Sequence, residues 1–273
     1  MKSNKIKKML ALFVAVAMSL AIAGCGDSNA GIHKKDNSLN KVLDAGQLIL
    51  GFDAGFPPMG FINESVVATG FDIDVAHEVC RRLGVTLVPL AINWDEKDDD
   101  LNSGKIDCIW NGLSVTPARA EEMCLSDPYM KSEIILVVRS DSEAKNARDL
   151  AGRSIGYQSG STAEELLNAS DIYPTVTAVP FNNNMMLLQQ LAQGKIDAAI
   201  VDSVTTYYFI TRSEASFYVL SDTFSEEEYA IGFRKGDQAL RDRIQELISI
   251  MKADGTLAHL SRKWFGSDIT TVK

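Results

Sequence analysis

A seven-residue segment recurs in similar but not identical form 90 positions later in the sequence, as a weak internal repeat. Residues 101–107 read LNSGKID and residues 191–197 read LAQGKID. In each copy, a glycine typical of a helix end is followed by a lysine and by an Ile-Asp pair that opens a strand. A second pair, GFDAG at 51–55 and GYQSG at 156–160, places a strand before a glycine-containing loop. The repeat predicts two similar α/β lobes; chance similarity of common turn chemistry is the alternative.

The order of the predicted elements favours the same architecture. Strands are expected at residues 48–52, 85–90, 106–110, 134–139, 154–157, 175–179 and 198–201. Helices alternate with them, at residues 72–83, 95–103, 117–123, 162–168, 184–193, 203–211 and 238–254. This alternation predicts an α/β fold with largely parallel sheets. Open α/β sheets bind ligands at the carboxyl ends of their strands, so two facing lobes predict a binding cleft between them.

The N-terminal segment has the pattern of a secretory leader. Residues 1–8 contain four lysines, residues 9–23 are almost entirely apolar, and the segment ends in Ala-Gly-Cys. It is too short and wrongly flanked for a membrane span. It resembles the lipobox of bacterial lipoproteins, which implies a signal peptide at 1–24 and a lipidated Cys25; an ordinary secretory leader with an unrelated cysteine is the alternative. The polar composition that follows predicts a flexible tether at 25–38.

The charge of the chain excludes some classes of partner. The formal net charge is −9, and removal of the four lysines of the leader makes it −13. Such an acidic body argues against a nucleic-acid partner. It also argues against electrostatic attachment to anionic lipid.

Cysteines, histidines and catalytic motifs give no sign of a metal site or an enzyme. Cys80, Cys108 and Cys124 do not have the spacing of zinc ligands, and we expect them to be buried thiols, with at least one unpaired. A disulfide between two of them remains open. The sequence contains no GxSxG, GxxxxGK[ST] or HExxH motif, and HEVCR at 77–81 lacks the second histidine of the zinc pattern. We therefore expect no cofactor.

Two loops have the chemistry to bind an amino-acid head group. Gly112, Ser114 and Arg119 belong to GLSVTPAR, which follows a predicted strand. A carboxylate is best bound by a bidentate guanidinium together with backbone N–H groups at a helix N-terminus. An exposed salt bridge is the alternative role for this arginine. In the second half, Ser161 and Thr162 begin a predicted helix, although residues there often serve only as helix caps.

Four more residues complete the predicted site. Asp202 follows the strand at 198–201 and could accept hydrogen bonds from an ammonium group, or cap the next helix, or do both. Asp53 and Phe56 lie on the loop after the first strand, and Trp94 begins the helix predicted at 95–103. Aromatic rings commonly enclose a ligand side chain, but core packing is an equally good explanation for either ring.

Several of these motifs, in this order, resemble one known family. They are GFDAGFPP at 51–58, GFDID at 70–74, the first repeat copy, GLSVT at 112–116 with Arg119, SDPY at 126–129, GST at 160–162, and GKIDA at 194–198 with Asp202. Over residues 39–265 the chain is similar to the amino-acid-binding proteins of ABC transporters, the bacterial extracellular solute-binding family 3. The resemblance implies a two-lobe periplasmic-binding-protein fold, of the Venus-flytrap type II, with two hinge crossovers near 131–134 and 226–230.

The resemblance also implies lobe boundaries and roles for the site residues. Lobe 1 comprises residues 39–131 and 229–273, and lobe 2 comprises residues 132–228. Arg119 clamps the ligand carboxylate with help from Ser114 and Thr162. Asp202 takes the ammonium, with help from the positions of Gly112 and Ser114. The remaining residues face the ligand side chain: Asp53, Phe56 and Trp94. Some family members have a serine at the position of Gly112, so a contact there would use the backbone, and the family's disulfide at the position of Cys80 has no second cysteine here.

The function implied is that of a substrate-binding protein of an amino-acid importer, not an enzyme. Its partners are a free amino acid and the permease subunits of an ABC transporter. We expect a monomer held outside the cytoplasm by lipidated Cys25, on the cell surface or in the periplasm. We favour a polar ligand, with lysine, arginine, glutamine and cystine all open. The alternatives are a sensor module and a dehydratase on the same scaffold; Asp202 argues against the latter, because prephenate has no amine.

Overall fold

The computed structural model describes residues 36–273, apart from the side chains of residues 221–223. The predicted signal peptide, Cys25 and the tether as far as residue 35 lie outside the described residues. Within the described part, no helix combines the length and the apolar composition needed to cross a membrane.

Strands and α-helices alternate along most of the described chain. The strands are β1 (Gln47–Phe52), β2 (Gly55–Phe56), β3 (Gly60–Ile62), β4 (Ala68–Thr69), β5 (Thr86–Ala91), β6 (Cys108–Ser114), β7 (Met123–Leu125), β8 (Met130–Arg139), β9 (Ser154–Gln158), β10 (Thr177–Phe181), β11 (Ala198–Asp202) and β12 (Phe217–Arg234). The α-helices are Ser38–Ala45, Phe71–Leu83, Lys97–Ser103, Pro117–Glu122, Thr162–Ala169, Asn184–Ala192, Ser203–Arg212, Gln238–Ala253 and Thr256–Phe265. Short 3-10 helices lie at Trp94–Glu96, Ala147–Leu150 and Tyr173–Thr175.

The strands form two parallel sets joined by antiparallel strands. The nine-stranded sheet has the order β10-β9-β11-β8-β12-β6-β1-β5, with β7 beside β12. β1 pairs in parallel with β5 and β6, and β9 pairs in parallel with β10 and β11. β8 and β12 pair antiparallel with each other and with the neighbouring set. We call the part around β1, β5 and β6 the first lobe and the part around β9, β10 and β11 the second lobe.

The two copies of the sequence repeat have the same local structure. Gly104 adopts a positive φ directly after the helix Lys97–Ser103, and Gly194 does so one residue beyond Gln193, the C-cap of the helix Asn184–Ala192. The aspartate of each copy then binds the first strand of its lobe: Asp107 accepts a hydrogen bond from the Ile49 N–H at 2.9 Å, and Asp197 accepts one from the Ser154 N–H at 2.8 Å. The repeat therefore reflects one α/β unit used twice.

The predicted crossovers lie side by side in the β8–β12 ladder. Its paired residues include Glu133 with Glu226, Ser132 with Glu227 and Met130 with Tyr229. The buried apolar residues divide in the same region. Two clusters contain residues from 42–130 and 229–272, and two others contain residues from 134–220. The exact lobe boundaries, between 131 and 132 and between 228 and 229, remain a prediction.

Several element boundaries differ from the expectation, and two of these differences concern the site and the tether. β6 was expected to end at residue 110 but continues to Ser114, because β12 pairs with it there and supplies the missing hydrogen bonds. The first described helix begins at Ser38, inside the range expected to form the tether. The Ser38 hydroxyl accepts a hydrogen bond from the Leu240 N–H, which fixes this end against the helix Gln238–Ala253.

The three cysteines of the described chain, Cys80, Cys108 and Cys124, are free and buried, as expected. Burial raises the pKa of the Cys80 thiol to about 12, so this group remains protonated at neutral pH. Among residues 36–273, no group of three or more His, Cys, Asp or Glu side chains is arranged to hold a metal ion.

Candidate ligand-binding site

The carboxyl ends of four strands, two from each lobe, meet around one small cavity. β1 ends just before Asp53, β6 ends at Ser114, β9 ends at Gln158 and β11 ends at Asp202. The cavity has a volume of about 20 Å³. Its lining contains all nine residues singled out from the sequence, together with two others: Asp53, Phe56, Trp94, Asn111, Gly112, Ser114, Arg119, Gln158, Ser161, Thr162 and Asp202. The edges of both parallel strand sets thus supply polar groups to one place.

Arg119 is a buried cation at this cavity. Its side chain is only 7% exposed, so it is not the surface ion-pair partner considered as the alternative. The helix Pro117–Glu122 begins after Thr116, whose hydroxyl accepts a hydrogen bond from the Arg119 N–H at 3.2 Å. The guanidinium Nη1 donates to the Ser114 carbonyl at 2.8 Å. Burial lowers the pKa of Arg119, but a guanidinium remains charged at any physiological pH.

Asp202 lies at the end of β11 and is 8% exposed. It occupies the N-cap position of the helix Ser203–Arg212, yet its side chain makes no capping hydrogen bond. The carboxylate instead accepts a hydrogen bond from the Tyr229 hydroxyl. Burial, and then the charge of Glu227, raises the pKa of Asp202. The capping role considered for its side chain is therefore not adopted, and the carboxylate is held at the cavity.

A buried polar chain joins the two lobes at Asp53. The carboxylate accepts from the Gly55 N–H at 2.7 Å and, across the lobes, from Gln158 Nε2 at 2.6 Å. Asn184 Nδ2 in turn donates to Gln158 Oε1 at 2.7 Å. Burial raises the pKa of Asp53 to about 6, and the two hydrogen bonds partly offset this shift. Above about pH 6, Asp53 is therefore negatively charged, and the two groups that donate hydrogen bonds to it, the Gly55 N–H and the Gln158 amide, are neutral.

The two predicted aromatic residues line the same cavity. Phe56 packs edge-on against Tyr229, with ring centroids 6.4 Å apart. The Lys97 ammonium lies 5.6 Å from the centroid of the Trp94 ring and donates to the Gly160 carbonyl of the second lobe at 3.0 Å. Lys97 is buried, and burial lowers its pKa. A second cation thus lies beside the cavity.

The hydroxyl groups of the two lobes approach each other. Ser161 caps the helix Thr162–Ala169 by accepting from the Glu164 N–H at 3.3 Å, so its predicted capping role is present. Ser114 Oγ lies 3.4 Å from Thr162 Oγ1 and donates to Glu227 Oε2 at 2.5 Å.

Gly112 has a backbone conformation that favours glycine. Its φ is +57°, and a Cβ atom at this position would lie 2.6 Å from Cε1 of Phe56. Its N–H donates to Asp72 Oδ2 at 2.8 Å, and the Tyr129 hydroxyl donates to the same oxygen at 2.9 Å. Burial raises the pKa of Asp72 to about 7. Because its N–H is already bonded, Gly112 can offer a ligand only its carbonyl.

Replacing Gly112 with alanine is expected to destabilise the ligand-free protein by about 2 kcal/mol, through the positive φ and the contact with Phe56. For a chain of this size that corresponds to a Tm lower by roughly 4–8 °C in a thermal melt. Gly152→Ala is the matched control, because Gly152 also has a positive φ (+76°) but nothing within 4 Å of its Cβ position. Equal shifts in both variants would contradict a tight contact at Gly112.

Four polar residues at or beside the cavity were not identified from the sequence. Gln158 could have been, because the repeat aligns GYQSG with GFDAG and so places Gln158 opposite Asp53. Glu227 could also have been found, since alternation along an extended strand makes the middle one of three consecutive glutamates face inward with Tyr229. Asn111, which accepts from the Asp53 N–H at 2.8 Å, and Lys97 carry no local signal.

Charges of both signs surround a space that holds about one water molecule at this volume. The arrangement suits a zwitterion, which presents a carboxylate to a buried guanidinium and an ammonium to a buried carboxylate. An amino acid is larger than the cavity, so its entry requires the direct contacts between the lobes to separate. Movement at the paired strands β8 and β12 can separate the two lobes without disturbing either parallel strand set.

Known proteins share both the sequence pattern and this fold. The family description of bacterial extracellular solute-binding proteins, family 3, matches residues 48–267. The L-cystine-binding protein TcyJ of Escherichia coli K12 is 31% identical over 234 residues, which cover 85% of this chain and 87% of the relative.

Two solved structures have the same fold. A substrate-binding protein of an ABC uptake transporter from Streptococcus pneumoniae, with bound histidine, has a TM-score of 0.83 and 33% identity, covering 87% of this chain and 99% of its own. The ancestral amino-acid-binding protein AncCDT-1, a precursor of cyclohexadienyl dehydratase, has a TM-score of 0.76 and 31% identity, covering 84% and 99%. The two-lobe α/β fold expected from the sequence is thereby confirmed. With its motifs, its fold and this match over most of its length, the chain belongs to the bacterial extracellular solute-binding proteins, family 3.

Proposed function

We propose that this chain is the substrate-binding component of an ABC importer and captures a free L-amino acid between its lobes. The observation that carries the proposal is the pairing of Arg119 from the first lobe with Asp202 from the second lobe around one buried cavity. Arg119 binds the α-carboxylate, and Asp202 binds the α-ammonium. Because one small zwitterion engages both residues, its binding favours closure of the lobes.

Head-group contacts of this kind are strong enough for the proposed role. Hydrogen bonds to charged groups contribute roughly 1.5–3 kcal/mol each, so four or five give a gross term on the order of 10 kcal/mol. Micromolar affinity requires about 8 kcal/mol net, after the costs of ordering and desolvation. Contacts to the ligand side chain then decide which amino acid is preferred.

The side-chain end of the cavity favours a polar amino acid. Asp53 and Gln158 offer a carboxylate and an amide, and Phe56 and Trp94 offer flat apolar surfaces. Asp53 can pair with a cationic side chain or accept from an amide. Lysine, arginine, glutamine and cystine all satisfy this chemistry, and TcyJ is a cystine-binding relative. The structural relative with bound histidine adds a fifth candidate.

We also propose where the protein is located in the cell and which subunits it works with. Signal cleavage after residue 24 and lipidation of Cys25 anchor the protein to the outer face of the cell membrane. There a monomer delivers its amino acid to the permease subunits of the transporter. The resemblance of residues 23–25 to a lipobox and the membership of the chain in an extracellular family support this part of the proposal.

A dehydratase activity is the second candidate, because AncCDT-1 is a precursor of cyclohexadienyl dehydratase. We propose that this chain does not have that activity. Asp202 places a negative charge where an ammonium would bind, and prephenate carries two carboxylates and no amine. Incubation with prephenate is expected to leave the substrate unchanged in a spectrophotometric assay; turnover that is lost in Arg119→Ala, which removes the cation that would bind a prephenate carboxylate, would establish the enzyme instead.

A thermal-shift screen with the twenty amino acids, ornithine and cystine tests the binding function. One or a few polar L-amino acids are expected to raise the Tm. A ligand at 100 times its Kd stabilises the folded state by about 2.7 kcal/mol, which corresponds to a Tm higher by roughly 5–10 °C for a chain of this size. The D-enantiomer of the best ligand is the control and is expected to give a much smaller shift. The absence of a shift with every compound would overturn the proposal.

A further inference from the structure

Glu227 is a buried carboxylate at the hinge that none of the roles described so far requires. It is 9% exposed, whereas its neighbours Glu226 and Glu228 on β12 are exposed. It pairs with Ser132 in the β8–β12 ladder, where the two crossovers lie side by side. Alternation along the strand points the middle glutamate towards the site and the other two towards solvent.

Two of the three hydroxyl groups that line the cavity are bound to this carboxylate; the third, Ser161 Oγ, donates to the Gln158 carbonyl. Ser114 Oγ donates to Glu227 Oε2 at 2.5 Å, and the Thr162 hydroxyl also forms a hydrogen bond with Glu227. A hydroxyl has one proton and two lone pairs. While each hydroxyl gives its proton to Glu227, it has none left for a ligand carboxylate. Its lone pairs can still accept hydrogen bonds from an ammonium.

Because Ser114 and Thr162 give their hydroxyl protons to Glu227, their roles differ from those that the family resemblance implies. There, Ser114 and Thr162 help to hold the ligand carboxylate. With Glu227 ionised, both hydroxyl oxygens are acceptors, like the carboxylate of Asp202 nearby. The carboxylate of the ligand is then left to the buried guanidinium of Arg119.

We propose that Glu227 is a positioning residue of the binding site, which turns Ser114 and Thr162 into acceptors and, with Asp202, selects a ligand with a primary α-ammonium. The inference rests on the proposed function and names its substrate class more closely. A primary ammonium has three donors for these acceptors. A secondary ammonium, as in an N-methylated amino acid, has two and leaves one acceptor without a partner.

The same carboxylates link binding to pH. The charged or titratable groups that face Glu227 are Asp202, Arg119, Glu165 and Tyr229. Burial raises the pKa of Glu227, and burial together with the charge of Glu227 raises the pKa of Asp202. At neutral pH the ligand-free pair therefore retains a proton in part of the molecules. A bound ammonium replaces this proton, so binding releases protons and strengthens as the pH rises towards 8.

Calorimetry of Glu227→Gln tests the inference, with Glu226→Gln and Glu228→Gln as controls that remove the same charge from exposed positions of the same strand. The probe is whichever of the twenty amino acids, ornithine and cystine gives the largest thermal shift with the wild-type protein. Titrations at pH 7 in phosphate and in Tris, whose ionisation heats differ, count the protons released. Wild type and both controls are expected to agree, while Glu227→Gln binds at least roughly tenfold more weakly and releases fewer protons.

Unchanged or tighter binding by a folded Glu227→Gln, with the proton count of wild type, would overturn the inference and leave the proposed function intact. A second experiment uses the wild-type protein, so it tests the inference even if Glu227→Gln does not fold. The N-methylated form of the same amino acid is expected to bind wild type at least roughly tenfold more weakly, and equal affinity would also overturn the inference. If the wild type binds none of the compounds, the proposed function fails and the inference fails with it.

Discussion

Replacing Arg119 with alanine is expected to weaken binding of the cognate amino acid at least roughly thirtyfold. The guanidinium is buried, and removing one partner of a buried, hydrogen-bonded charge pair costs about 2–5 kcal/mol, because the ligand carboxylate is left without its counter-charge. Arg119→Lys retains the charge but loses the two parallel donors and is expected to fall between alanine and wild type. Isothermal titration calorimetry with the best ligand from the thermal-shift screen measures both changes.

Arg81→Ala provides the control for the loss of an arginine, because the Arg81 side chain is 70% exposed and pairs with Glu78 on its own helix. It is expected to leave affinity and Tm within error of wild type. Binding by Arg119→Ala within about threefold of wild type would remove this residue from the site.

The second large effect is expected for Asp202→Asn, which has opposite consequences for binding and for stability. Asparagine retains the shape of the side chain and an oxygen that accepts from the Tyr229 hydroxyl, but it has no charge for an ammonium. Affinity is expected to fall at least roughly thirtyfold in calorimetry, by the same argument as for the guanidinium. The Tm of the ligand-free protein is expected to stay the same or to rise.

The expected effect of Asp202→Asn on the Tm follows from the direction of the Asp202 pKa shift. The pKa of Asp202 is raised in the folded protein, so the folded state binds a proton more readily than the unfolded state does. The ionised carboxylate therefore destabilises the ligand-free fold at neutral pH, and this penalty disappears as the pH falls towards the ordinary carboxyl pKa. Asparagine removes the penalty at every pH. Asp171→Asn, at an exposed position of the second lobe, is the control. Retained binding, or a Tm well below wild type, would contradict this role of Asp202.

The alternation of the main strands and helices, and the clustering of the predicted polar residues around one cavity, could be predicted from the sequence because both depend on local patterns. Gly104 and Gly194 follow helix ends in a conformation that glycine favours, and Asp107 and Asp197 follow at the same spacing in both lobes. The carboxyl ends of parallel strands then bring the polar loops together. Arg119 and Asp202 thus line one cavity although 83 positions separate them in the sequence.

Features that depend on contacts distant in sequence could not be predicted in this way. The bond between Asp53 and Gln158 joins residues 105 positions apart, and the bond between Lys97 and the Gly160 carbonyl joins residues 63 positions apart. Neither contact leaves a local pattern. The same holds for the end of β6, which extends to Ser114 because a partner strand from the C-terminal part of the chain pairs with it.

The central claim is that one amino acid is held by Arg119 from one lobe and by Asp202 from the other. A crystal structure of the protein with the amino acid that gives the largest thermal shift tests this claim most directly. We expect the α-carboxylate within about 3.2 Å of the Arg119 guanidinium, and the α-ammonium at the same distance from the Asp202 carboxylate. An amino acid that contacts only one of these two residues, or that binds outside the cavity between the lobes, would contradict the account.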